Sequence, residues 1–151
     1  MSDINERLRT AVRNGFEAEI KSLLRKPGCD VLYKDVFGMT VLMYAAWNGK
    51  EGCVSLLLPE SDALAQDDDG VTALMSAAYN GYDACVKVLL PVSDIHAKDS
   101  RGFTASMLAQ KRGRRSIAQL IDAYTLALSE RTSIGVAVST LPPRGRATPR
   151  V

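Results

Sequence analysis

The sequence has few of the side chains that carry chemistry. Among 151 residues there is one histidine, His96, and there are three cysteines, Cys29, Cys53 and Cys85. An odd count at spacings of 24 and 32 suggests neither a disulfide framework nor a zinc site, and no H-E-x-x-H or comparable ligand pair accompanies His96. Neither G-x-x-x-x-G-K-[ST] nor G-x-G-x-x-G occurs, so no phosphate cradle is present. Asp67-Asp68-Asp69-Gly70 lacks the alternating acids and distal Glu of a calcium loop. Aromatics are only 6%, so a core must be built from Leu, Val, Ala and Met. No apolar run approaches the roughly 18–20 residues that span a bilayer, and the start, MSDINERLRT, is too charged for a secretory signal. These gaps predict a soluble, non-enzymatic protein with no cofactor, metal or small-molecule substrate. They also predict no membrane insertion and residence in the cytoplasm.

An excess of one charge is missing too. Lys plus Arg is 19 and Asp plus Glu is 17, a net +2 that argues against a dedicated nucleic-acid binder. The excess sits at the end: from Ser129 onward stand Arg131, Arg144, Arg146 and Arg150 against Glu130 alone. Residues 127–151 are rich in Ser, Thr, Pro and Arg, and too little apolar surface is available there to offset ordering entropy. A disordered basic tail is predicted, with Thr148-Pro149 as its phosphosite candidate. Lys111-Arg112-Gly113-Arg114-Arg115 reads as a solvated cap face, with a nuclear address as the alternative.

What the sequence does have is a period of 32. Gly38, Gly70 and Gly102 share it, as do Thr40, Thr72 and Thr104, and Met43, Met75 and Met107. Ala45, Ala77 and Ala109 keep step, with Gly49, Gly81 and Gly113, then Asp35, Asp67 and Asp99, then Pro27, Pro59 and Pro91. Within one unit, Thr72 is suited to cap a helix over Ala73 to Tyr79. Gly81 supplies the left-handed residue that ends it. A second helix carries Cys85, Val86, Val88, Leu89 and Leu90 on a broad apolar face until Pro91 stops it. At that place Cys53 and Cys85 read as small packed hydrophobes. Each unit is therefore helix, turn, helix, then an extended turn.

This pattern resembles the ankyrin repeat, which has about 33 residues and the signature T-P-L-H-x-A. Thr72-Ala73-Leu74-Met75-Ser76-Ala77 and Thr40 to Ala45 lie on that signature, and Thr104 to Ala109 form a weaker copy. The resemblance covers roughly residues 5–125. Methionine replaces the signature histidine at 43, 75 and 107, which predicts loss of that residue's hydrogen bond to the threonine. The implied architecture is an all-α ankyrin solenoid of about four helix-turn-helix units joined by β-turn or hairpin connections. It occupies residues 1–126, with units at about 3–34, 35–66, 67–98 and 99–126. The first and last are read as caps: Gly15 to Pro27 spans 12 positions where Gly49 to Pro59 spans 10, and in the last unit Gln110 and Asp122 put polar groups where an inner unit has Ala78 and Leu90.

The resemblance also implies a function: an adaptor or scaffold that binds another protein through a concave groove. Carried onto this sequence, the groove takes Val36, Phe37, Met39, Trp47 and Asn48 from the second unit. The third supplies Asp68, Asp69, Val71, Tyr79 and Asn80, and the fourth Ser100, Arg101, Phe103, Lys111 and Arg112. Stacking should set Trp47 beside Tyr79, since they occupy equivalent positions. The alternative is a regulatory fragment or relative of a larger protein, such as a kinase-associated ankyrin protein.

Overall fold

Thr40, Thr72 and Thr104 each open a helix from an extended backbone, and each Oγ1 accepts the N–H three residues on, at 3.3, 3.2 and 3.3 Å. The computed structural model describes residues 2–140, and side chains over 4–131. It corrects one expectation about these caps. Where methionine replaces histidine, the cap is not left open: the N–H groups of Thr40 and Thr72 donate to Sδ of Met43 and Met75 at 3.4 and 3.5 Å. A thioether is a weak acceptor, yet it closes the cap reciprocally, as Glu or Gln does in a capping box.

The helices are α1 (Ser2–Asn14), α2 (Glu17–Leu24), α3 (Val41–Trp47), α4 (Glu51–Leu57), α5 (Ala73–Asn80), α6 (Asp83–Leu89), α7 (Ala105–Lys111) and α8 (Arg115–Thr140). The fold is all-α, with no strand among the described residues. Each consecutive pair packs as a hairpin; α1, α3, α5 and α7 stack in one layer, and α2, α4 and α6 in the other. The inner helices of the first layer are buried on most sides: Val41, Leu42, Met43, Ala45 and Ala46 in α3 and Ala73 to Ala78 in α5 are all buried. Alanines at these contact points let neighbouring backbones approach closely. Pro59 and Pro91 do not simply stop α4 and α6. Each sits inside a short 3-10 turn (Leu58–Glu60, Leu90–Val92), where its missing N–H is no loss.

Between units the chain makes a tight turn organised by Asp35, Asp67 and Asp99. Each Oδ1 accepts two backbone N–H groups, two and four residues on, at 2.9–3.0 Å. Successive turns are tied together, since Asp68 N–H donates to the Phe37 carbonyl at 3.1 Å and Ser100 N–H to the Asp69 carbonyl at 2.8 Å.

The last helix runs past residue 126 into the stretch whose composition predicts a disordered tail. No proline interrupts residues 115–140, and Tyr124 and Leu128 still pack on the core. The rest of that expected tail, residues 141–151 with Thr148-Pro149, lies outside the described residues.

Candidate functional site

Trp47 ends α3 and Tyr79 stands one residue from the end of α5, so the stacking of those helices brings their rings together. The centroids are 6.1 Å apart and the planes 16° from parallel, the offset arrangement that aromatic pairs favour. Trp47 remains 45% exposed. Arg112, at the end of α7, lays its guanidinium 4.6 Å from the Tyr79 ring centre. A continuous ladder Trp47–Tyr79–Arg112 therefore crosses three units.

Beside the ladder lies a depression of about 170 Å³, bordered by Trp47, Val71, Met75, Tyr79, Arg101 and Leu108. Its floor is Ser76, whose Oγ donates to the Thr72 carbonyl at 3.2 Å. The hollow exists because of register. The position held by Ser76 in α5 is Tyr44 in α3, and there the ring is packed between Arg9 and Arg13, with guanidinium carbons 5.6 and 5.7 Å from its centre. Serine at the equivalent place leaves room. Met75, Ser76 and Leu108 were not among the expected binding residues, because buried apolar or small side chains read as core. The sequence signal that would find the depression is the Tyr–Ser–Leu series at 44, 76 and 108.

The turns supply the rim. Val36 and Phe37 project from the first tip, 85% and 66% exposed, and Asp68, Asp69 and Ser100 are exposed on the next two. Three expected contacts are largely engaged within the fold. Met39 is half-buried against the core, Asn48 Nδ2 donates to the Tyr44 carbonyl at 2.7 Å, and Asn80 Nδ2 donates to the Trp47 carbonyl at 3.0 Å. The Asn80 bond holds the rung between units.

Unit four is the cationic end. Phe103 is shared by two cations, Arg101 at 5.3 Å and Lys111 at 4.7 Å from its ring centre. Arg101 also pairs with Asp99 at 2.9 Å. Among the described residues, no carboxylate lies within 4.0 Å of Lys111, Arg112, Arg114 or Arg115.

Residues that could do chemistry are placed as structure. Burial raises the pKa of all three thiols, with Cys85 pushed up to about 11, so none is an activated thiolate. Asp67 is occupied by the N–H groups of Asp69 and Val71. His96 sits on an exposed turn with its N–H on Asp94. Among the described residues there is no cluster of three metal-ligating side chains, and no helix long and apolar enough to cross a membrane.

A family model described as ankyrin repeats, three copies, matches residues 8–99 and 60–132. No curated protein matches the chain. Ankyrin repeats are generally protein–protein interaction modules and are typically non-enzymatic. With the repeat register, the capped helix pairs and this match in agreement, the chain belongs to the ankyrin-repeat family.

Proposed function

We propose that this protein is a non-enzymatic adaptor or scaffold whose protein partner docks along the concave groove formed by α3, α5, α7 and the turns before them. One observation carries the reading. The Trp47–Tyr79–Arg112 ladder leaves a large aromatic half-exposed beside an apolar depression instead of covering it. Trp, Tyr and Arg are the side chains that most often dominate interface energetics, and they do so next to pockets. Val71, Arg101, Phe103 and Lys111 complete the centre of the surface, and Val36, Phe37, Asp68, Asp69 and Ser100 form its rim.

The test is affinity capture with three baits: wild type, Trp47→Ala/Tyr79→Ala, and a chain truncated at Ser129. Circular dichroism checks that each is folded. A partner kept by wild type and truncated chain but lost by the double variant supports the groove; the expected loss is about 2 kcal/mol of binding or more. A partner lost only on truncation moves the function to the C-terminal segment.

A further inference from the structure

We propose that the segment this groove accepts is an acidic peptide: one apolar side chain seats in the depression, and Asp or Glu carboxylates on its unit-four side meet Arg101, Lys111 and Arg112. The proposal rests on the groove reading above and gives the partner a chemistry. Two of these cations share the Phe103 ring and the third lies on Tyr79. Aromatic faces thus hold positive charge at fixed places beside the depression, and Lys111 and Arg112 have no carboxylate within 4.0 Å among the described residues. Arg101 already meets Asp99, so the positive charge left uncompensated is that of Lys111 and Arg112, which an incoming carboxylate neutralises. Because the cations are already positioned, little side-chain ordering is left to oppose binding. The depression supplies the complementary requirement. Trp47, Val71, Met75 and Leu108 border it with apolar surface, which favours an aliphatic or aromatic side chain over a second charge.

A basic patch with aromatics also suits single-stranded nucleic acid, which binds by stacking bases on free ring faces. Here few faces are open: Tyr79 carries both Trp47 and Arg112, and Phe103 carries two cations, which leaves the half-exposed Trp47 as the main stacking surface of the groove. Asp68 and Asp69 on the adjoining turn would repel a phosphate backbone running along the groove. A short acidic stretch confined to unit four avoids them.

The test uses phage-displayed random peptides selected on the full-length protein, then synthesised and titrated. Trp47 is the single tryptophan of the chain, so its fluorescence reads occupancy of the depression directly. The expected peptides place acidic residues to one side of an apolar residue and shift Trp47 emission. Their affinity should weaken about tenfold or more in Lys111→Glu/Arg112→Glu, and also on raising salt from about 50 to about 500 mM. Lys111→Gln/Arg112→Gln serves as the milder variant if charge reversal disturbs folding. Peptides without acidic bias, or unaffected by both cation variants, overturn the proposal while leaving the groove intact. Peptides that leave Trp47 emission unchanged and still bind Trp47→Ala/Tyr79→Ala overturn the groove as well. Selection of no peptide, or equal or tighter binding of a single-stranded oligothymidylate, also overturns the acidic-peptide assignment.

Discussion

Met43, Met75 and Met107 hold the same place in the repeat but differ in what covers them and in whether the sulfur closes a cap, as it does for Met43 and Met75. Met43 and Met75 are each 1% exposed, whereas Met107 is 46% exposed because among the described residues no further repeat stacks on α7. Met75→Ala removes packed atoms, leaves a cavity and deletes the sulfur that closes the α5 cap, so it should cost about 2–5 kcal/mol. Met107→Ala should cost about 1 kcal/mol or less, as expected of a half-exposed side chain. Urea unfolding of the two variants checks the contrast, and equal costs would mean that neither burial nor the sulfur bond, both of which Met75 has and Met107 lacks, sets the contribution. The turn aspartates make a pH prediction of the same kind. Burial of Asp99 opposes its ionisation, but the Phe103 N–H, the Arg101 side chain and the Arg101 N–H outweigh it and hold the pKa below the ordinary carboxylate value. Asp35 behaves alike: burial again opposes, and the Tyr44 hydroxyl, the Met39 and Phe37 N–H groups and Arg9 prevail. A carboxylate whose pKa is lower folded than unfolded adds stability above the unfolded value, about 3.9, and that stability is lost as pH falls through the folded value. Urea midpoints should therefore lose nothing from these groups between about pH 7 and 5 and fall below about pH 4. In Asp99→Asn the fall should be shallower, from a lower starting point. A slope identical to wild type would show that Asp99 does not contribute to it.

At the scale of elements, the turn glycines separate backbone strain from crowding. Gly38 and Gly102 both have positive φ, +77° and +86°. A Cβ on Gly38 would lie 2.9 Å from the Asp68 nitrogen of the next turn, whereas one on Gly102 meets nothing within 4 Å. Gly102→Ala should cost about 1–2 kcal/mol, the price of a left-handed residue. Gly38→Ala should cost more, because the turn of unit three must move and its bond to the Phe37 carbonyl must stretch. Thermal melts of both variants measure the difference; equal shifts would mean that the turns slide apart freely. These elements also show how much the sequence disclosed. Threonine caps, glycine ends and the period of 32 set the positions of the inner helices, because each is a local backbone rule repeated in register. The Trp47–Tyr79 stack followed from that register alone. What local rules did not carry were properties of unlike neighbours. The depression over Ser76 depends on the side chain that one unit lacks and the next does not fill. The Met43 and Met75 sulfur bonds need a rotamer that sequence does not specify. The run of α8 past residue 126 is supported there by the packing of Tyr124 and Leu128, which a Ser- and Arg-rich composition conceals.

For the whole molecule, the decisive fact is that helices stack only on their neighbours, so stability is a sum over units and the interfaces between them. The two ends are therefore unequal to the middle. Leu74 in α5 is 0% exposed and its helix packs on both α3 and α7, while Ile121 in α8 is 1% exposed and its helix packs on α7. Either residue changed to Ala should remove about 2–5 kcal/mol locally. The consequences differ. Leu74→Ala weakens two interfaces of a central unit, so the array should still unfold together, at a lower urea midpoint with an unchanged slope. Ile121→Ala weakens only the last unit, which should fray before the rest. The transition then broadens and its slope falls, because the residual cooperative unit exposes less surface. Amide exchange should locate that fraying in α7 and α8, with α3 and α5 still protected. Uniform exchange in both variants would show instead that four units behave as one. The distinction bears on the groove, because Arg101, Lys111 and Arg112 belong to the unit that frays while Trp47 and Tyr79 belong to units that do not. An Ile121→Ala chain should thus lose affinity for acidic peptides at temperatures where the Trp47–Tyr79 stack is still formed. Charge recognition and aromatic anchoring would then separate along the length of the molecule.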